Sequence, residues 1–229
     1  MSDASRTDQA AAGRAASRYV PALGFHALTR LYDPVVALTT REKTFKRALI
    51  AQARLRPGLR VLDLASGTGT LAIWMKQAEP AAGISGVDGD AAIIAIARGK
   101  ADAAGLDIDW NAGFSTALPF ATASFDRVTS SLFFHHLQRA DKARSFAEAL
   151  RVLKPGGELH VADWGAPHWR LMRLAYVQIQ LLDGWSNTGD NVRGILPVLM
   201  SEAGFADVRV RKEFATVFGT MTLYSARKE

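Results

Sequence analysis

The chain reads as an α/β protein built on a doubly wound, mostly parallel sheet, and three observations carry that reading. Val61-Leu62-Asp63-Leu64 runs into the small-residue loop Ala65-Ser66-Gly67-Thr68-Gly69 and then into helix-patterned residues as far as Ala78. Strand-like and helix-like stretches go on alternating beyond it, which places parallel strands side by side with helices on both faces and right-handed crossovers. The last two β-rich stretches are joined by almost no residues, so they must form a hairpin that sets one of them antiparallel to the rest.

The elements follow in order. Tyr19 to Leu55 is a helical preface in which Thr39-Thr40-Arg41-Glu42 reads as a capping box with Thr39 as N-cap. Behind it Phe45, Leu49, Ile50 and Ala53 share one helix face, while Lys43, Lys46, Arg47 and Arg54 fall elsewhere. Pro57-Gly58 stops that helix and turns the chain into a first strand at Arg60–Leu64. A second strand is expected at Ile84–Val87 with its helix at Ala91–Ala103, a third at Asp107–Asn111 and a fourth at Asp126–Ser130. A helix from about Ala140 to Leu153 should end at Lys154-Pro155-Gly156-Gly157, a stop and turn signal before a fifth strand at Glu158–Ala162. Two helical stretches, near Trp169–Leu182 and Asn191–Ala203, precede the final strands Val208–Glu213 and Ala215–Ala226.

At 229 residues the chain is one domain, or one domain with an appendage. It has no cysteine, which excludes disulfides, thiolate metal sites and cysteine nucleophiles and suits a cytoplasmic protein. Residues 1–18 lack the apolar core of a signal peptide and read as a frayed, flexible tail. No apolar run approaches the ~18 residues of a membrane span. The net charge of +6 is uneven: residues 1–60 carry +7, residues 61–138 carry −4 and the remainder +3. The basic excess is either the solvated face of a helix or a surface for an anionic substrate, a lipid surface or nucleic acid.

The strand-loop-helix at 61–78 sets backbone N–H groups at the end of a parallel sheet, where open α/β sheets bind ligands. Gly67 and Gly69 would let a ligand approach the backbone closely. Gly67-x-Gly69-x-x-Ala72 also satisfies the dinucleotide fingerprint, so from these residues a cofactor loop, a nicotinamide site and a bare turn all stay open. Asp88 stands 25 residues after Asp63, near the spacing at which an acid meets ribose hydroxyls, and its alternative is a helix-cap acid.

Several motifs occur together in one order: Leu55-Arg56-Pro57-Gly58, Val61-Leu62-Asp63 through Gly69, Gly86-Val87-Asp88, Leu118-Pro119-Phe120, Ser124-Phe125-Asp126, His135-His136 and Leu153-Lys154-Pro155-Gly156-Gly157. In this the chain resembles the class I S-adenosylmethionine-dependent methyltransferases, and most of all their small-molecule group of ubiquinone/menaquinone methyltransferases, well over about residues 58–163 and more loosely beyond. The resemblance implies a Rossmann-like, seven-stranded sheet, a helical cap over 19–57, and a methyltransferase domain over 58–229 with an acceptor-pocket insertion at about 164–203. It implies S-adenosyl-L-methionine as cofactor and S-adenosyl-L-homocysteine as product. Asp63, Ala65, Ser66, Gly67, Thr68 and Gly69 would then hold the methionine part and Asp88, with Gly89 beside it, the ribose. Phe114 and Ser115 would face adenine, Ser131 would lie along the cofactor, and Tyr32 would close over it or simply pack within the cap. Two positions depart from the pattern. Ala65 stands where the family usually has Gly, and Gly113-Phe114-Ser115 where it commonly has Gly-Asp-Ala, so the adenine amino group loses its usual carboxylate acceptor.

A sulfonium methyl is already activated, so the protein must chiefly align nucleophile, methyl carbon and sulfur, adding a base only where the acceptor must lose a proton. His135, His136, Asp163 and His168 are the candidates, with His136 and Asp163 foremost; the structural alternative for His136 is anchoring the loop after the fourth strand. Trp169, Met172, Tyr176, Gln180 and Trp185 would build the acceptor pocket or pack an amphipathic helix. No metal is expected, because the histidines and carboxylates lack ligand-like spacing. The expected acceptor is small or lipid-like, methylated at O, N or C. The alternatives are a phospholipid head group or nucleic acid met by the basic N-terminal segment, and a non-catalytic cofactor-binding module. Peripheral membrane contact and homo-oligomerisation are compatible with the sequence.

Overall fold

A computed structural model describes residues 41–166, 190–191, 193–216 and 219–229. Thr39 and Tyr32 of the preface, His168, and the pocket candidates Trp169, Met172, Tyr176, Gln180 and Trp185 lie outside the described residues.

The chain runs α1 (Glu42–Ala53), β1 (Arg60–Leu64), α2 (Thr70–Ala78), β2 (Gly83–Asp88), α3 (Ala91–Ala103), β3 (Asp109–Ala112), β4 (Phe125–Ser131), α4 (Arg139–Val152), β5 (Leu153–Trp164), α5 (Leu196–Glu202), β6 (Ala206–Thr216) and β7 (Gly219–Arg227), with a 3₁₀ turn at Phe134–His136. The seven strands form one sheet in the order β3-β2-β1-β4-β5-β7-β6. β7 runs antiparallel to both β5 and β6 and the other pairings are parallel, so the expected hairpin is present and β7 is the reversed strand.

Side chains of a strand alternate between the faces of its sheet, and the buried β1 shows what that does. Val61 joins the core formed with Phe45, Leu49, Leu71, Met75, Ile94, Ala97 and Trp110, on the face covered by α1, α2 and α3. Leu62 and Leu64 join Val128, Phe134, Phe146, Leu196 and Met200 on the face covered by α4 and α5. Asp63 shares the parity of Val61 and is 1% exposed, so a carboxyl group is carried under the helices of the first face.

Several elements depart from the sequence reading. α1 starts at Glu42, with Arg41 as a left-handed N-cap (φ 58°) and no side-chain cap hydrogen bond, so Glu42 is the first residue of the helix rather than its third. Lys46, expected away from the apolar face, is buried and pairs with Glu42 at 2.5 Å. Lys154-Pro155-Gly156-Gly157 is no turn: β5 begins at Leu153, and the register steps from Phe125↔Leu153 to Arg127↔Glu158, which makes the motif a bulge inside the strand. Gly156 takes φ 76° there, and its N–H donates to the Lys228 carbonyl while Lys228 N–H donates to Gly157, so tertiary pairing replaces the lost ladder bonds. The helix expected over 191–203 is shorter, because Gly194 at φ 68° interrupts it and α5 starts only at Leu196, with Pro197 in its first turn. The two final strands pair as far as Thr216↔Gly219, so the hairpin does not turn at residue 214.

Candidate cofactor and acceptor site

The C-terminal ends of β1, β2 and β3 build one half of the site. Ala65 leaves β1 at φ 55°, in the left-handed region that glycine enters at no cost, which explains why Ala is the unusual residue there. Ser66 N–H then donates to the Val87 carbonyl at 2.9 Å, and Gly69 N–H to Ser66 at 3.0 Å. The two loop glycines serve different ends. A Cβ on Gly67 (φ 53°) would meet nothing within 4 Å, so this residue borders open space. A Cβ on Gly69 would come within 2.5 Å of the Trp110 ring and 3.0 Å of Ala97, and one on Gly86 would strike the same ring. Gly69 therefore makes room for Trp110, which the sequence reading passed over; two small residues flanking an aromatic were the only signal.

Asp88 ends β2 and is tied to the loop. Its Oδ2 accepts Gly67 N–H at 2.9 Å and its Oδ1 accepts Asp90 N–H at 3.1 Å. Burial pushes its carboxyl up, against the hydrogen bonds from the Asp90, Gly67 and Gly89 backbone. The helix-cap alternative belongs to its neighbour: Asp90 is the N-cap of α3 and accepts from Ala92 and Ile93. Each carboxylate oxygen has two acceptor directions, so Asp88 keeps acceptor capacity beyond these bonds. Thr68 Oγ1 accepts from Lys100 Nζ at 3.1 Å.

Beneath the loop, Asp63 Oδ1 accepts from Thr129 Oγ1 at 3.3 Å, while its buried Oδ2 has no hydrogen-bond partner, and neither has the buried hydroxyl of Ser66. Burial pushes the Asp63 carboxyl up to about 7, with the nearby Lys46 charge and Thr129 hydroxyl pulling the other way. Past β3, Phe114 is 54% exposed, and Ser115 shares a 2.7 Å hydrogen bond with the buried Ser145 of α4. Ser131 closes β4 half-buried, followed by Leu132 at φ 56°.

The other half lies where β4 and β5 end. His135 and Asp163 are buried and meet at 2.7 Å, His135 Nδ1 to Asp163 Oδ1. His135, the second residue of the 3₁₀ turn, thus ties the loop after β4 to β5. His136 is half-buried, its ring centroid 3.9 Å from that of His135. Burial would raise Asp163, but the His135 charge and hydrogen bond, with Trp164 N–H, hold its carboxyl below the usual range. A carboxylate held low and already accepting from His135 and Trp164 is a weak base. The fully buried Asn191, unforeseen in the sequence, donates through Nδ2 to Asp163 at 3.3 Å and to the Trp164 carbonyl at 3.0 Å. Asp190 beside it pairs with Arg139 at 2.6 Å, and the buried Lys142 donates to the Leu137 carbonyl at 2.7 Å. Among the described residues no group of three His, Cys, Asp or Glu could hold a metal ion, and no helix is long and apolar enough to cross a membrane.

Comparison with known proteins agrees with this architecture. Residues 61–157 match a family model described as a methyltransferase domain. A demethylmenaquinone methyltransferase of Thermus thermophilus is 37% identical over 132 residues, covering 58% of this chain and 59% of that protein. A ubiquinone/menaquinone biosynthesis C-methyltransferase of Xanthomonas campestris pv. campestris is 32% identical over 206 residues, covering 80% of each. The chain spans 59, 52 and 54% of the length of three of the curated relatives it matches. Among solved structures, a SAM-dependent methyltransferase from Methanosarcina mazei shares the fold at TM-score 0.64 and 21% identity, over 78% of this chain and 96% of that one. A Haemonchus contortus phosphoethanolamine N-methyltransferase 2, solved with S-adenosyl-L-methionine, shares it at TM-score 0.63 and 17% identity, over 81% and 52%. With the strand order, the glycine loop and these matches together, the chain belongs to the class I S-adenosylmethionine-dependent methyltransferases, in the group of the ubiquinone/menaquinone methyltransferases.

Proposed function

We propose that the protein transfers a methyl group from S-adenosyl-L-methionine to a small or lipid-like acceptor of the hydroquinone kind, in a site made by the ends of β1 to β5. The observation that carries the reading is the bond from Gly67 N–H to Asp88 at 2.9 Å, which locks an acidic side chain beside a loop residue bordering open space. The residues suit the cofactor. Asp88 retains lone pairs for vicinal hydroxyls, and Asp63 Oδ2 and Ser66 Oγ are buried polar atoms lacking partners, costly unless something polar completes them.

Ala65 to Gly69 would hold the methionine part, Asp88 and Gly89 the ribose, and Ser131 the flank. Ser115 already bonds Ser145, so Phe114 supplies a face for adenine rather than an acceptor for its amino group. When bound, the sulfonium supplies an activated methyl carbon. The chain supplies alignment and exclusion of water, worth several orders of magnitude in rate without any covalent catalyst. The acceptor would lie beside the ends of β4 and β5. The acceptor class follows the names of the relatives, and a hydroquinone, unlike a quinone, is electron-rich enough to attack a methyl cation equivalent.

The test is incubation of the full chain with methyl-labelled S-adenosyl-L-methionine and a short-tailed demethylmenaquinone kept reduced. Label in the organic phase is expected. Label only in nucleic acid or phospholipid from a cell extract would redirect the acceptor to the basic N-terminal segment.

A further inference from the structure

Most of the basic excess of the first 60 residues falls on one stretch. Residues 41–60 carry seven basic residues and one acid, a charge of +6, and the acid, Glu42, is buried in its pair with Lys46. Lys43, Arg47 and Ile50 follow one another along α1 at spacings of four and three, so they share a stripe distinct from that of the buried Phe45, Leu49 and Ala53. On α2, Trp74, Gln77 and Ala78 share a stripe in the same way, and the two stripes meet. Arg47 and Ile50 with these three residues line a surface cavity of about 240 Å³. Ile50 and Trp74 are half-buried there, while Lys43 and Arg47 are exposed.

The loop after α1 carries a third exposed cation, Arg56, and is tied to the end of α2 through Gly58 N–H, which donates to the Ala81 carbonyl at 3.0 Å. Glu79, the acid at that end, is turned back on the Ala81 N–H at 3.2 Å. Among the described residues no carboxylate forms an ion pair with Lys43, Arg47 or Arg56. An apolar floor rimmed by cations on long stems is what an interfacial site needs, since the stems and the indole reach the apolar boundary while the charged heads stay with phosphates. A negatively charged membrane surface attracts each such cation. A nucleic acid would meet the same cations but has no alkyl chain for Ile50 and Ala78.

We propose that the groove between α1 and α2 docks on an anionic phospholipid bilayer, with Lys43, Arg47 and Arg56 on the phosphates and Ile50 and Trp74 at the acyl boundary. The lipid is a surface here and not a methyl acceptor, so the inference stands apart from the methyl-transfer reading. Flotation of the full chain with vesicles tests it. Binding is expected to vesicles of phosphatidylcholine mixed with phosphatidylglycerol, not to phosphatidylcholine alone, and should fall as salt rises. Lys43→Glu with Arg47→Glu should weaken it by at least about 10-fold, and Lys43→Gln with Arg47→Gln by less. Both positions are exposed, so thermal unfolding should match the wild type. Ile50→Gln removes an apolar contact and no charge, so it should weaken binding and leave the salt dependence unchanged. A wild-type chain that does not float with the anionic vesicles overturns the proposal, as does wild-type affinity in the charge-reversed variant. Preference for an oligonucleotide over the vesicles also overturns it and assigns the cations to nucleic acid. S-adenosyl-L-homocysteine should bind all these variants alike, and its failure to bind the wild type counts against the methyl-transfer reading alone.

Discussion

Trp110 governs the glycine loop at the scale of single residues. Its ring fills the space that side chains at positions 69 and 86 would need, so both stay glycine for packing, while Gly67 borders open space. Gly86→Ala is expected to destabilise the fold by about 1–3 kcal/mol through overpacking. Gly69→Ala should cost at least as much, since its φ of 78° adds backbone strain. Thermal unfolding checks both, and Trp110→Leu should relieve much of the Gly86→Ala penalty; an additive double variant would speak against the contact. Asp63 gives a pH signature. Its carboxyl is pushed up to about 7 from 3.8, so the folded state holds the proton more tightly than the unfolded one. That contribution is fully present below pH 3.8 and is lost as pH rises through about 7. The stability of the wild type relative to Asp63→Asn should therefore fall between those values, and a pH-independent difference in unfolding free energy would contradict the burial argument. Asp163 has the opposite sign: held low, it contributes above the ordinary carboxylate range and loses that contribution as pH falls through its folded pKa.

α1 shows at the scale of elements how charge can be buried without being wasted. Glu42 and Lys46 are 7% and 8% exposed, pair at 2.5 Å, and set a positive charge near Asp63. Removing one partner leaves the other buried alone, so Glu42→Ala is expected to cost about 3–5 kcal/mol, whereas Glu42→Leu with Lys46→Met should cost far less. Urea unfolding of the three proteins decides; equal losses would mean that the pair is solvated. The same helix shows the reach of sequence patterning. Periodicity placed Phe45, Leu49 and Ala53 in the core, where they are, but a lysine has no pattern that announces a buried partner. Asp90 caps α3 over the range expected from its sequence, because the signal is local. At Lys154-Pro155-Gly156-Gly157 the local signal is the same for a turn as for a bulge, and the Lys228 backbone, far along the chain, decides between them. His135 and His136 were legible as a pair, but which one meets Asp163 depends on the 3₁₀ turn, which leaves no periodicity to read.

For the whole molecule, the mostly parallel sheet and the single reversed strand were legible because alternation and a short final connection admit few other topologies, whereas the order of the strands in the sheet was not read from the sequence. What the sequence could not place was the polar chemistry at the far end of the crossover after β5, where Asn191 returns to Asp163 across 28 positions of chain. The sheet has two polar ends accordingly: β1 and β2 end at the glycine loop and Asp88, and β4 and β5 end at the histidine–carboxylate pair. The central claim concerns the first of these halves, and it is tested most directly by calorimetric titration of the full chain with S-adenosyl-L-homocysteine. One site per chain is expected, weakened by about 10- to 100-fold in Asp88→Ala through loss of hydrogen bonds to a charged group. No heat of binding in the folded wild-type protein, or equal affinity in the variant, would contradict it.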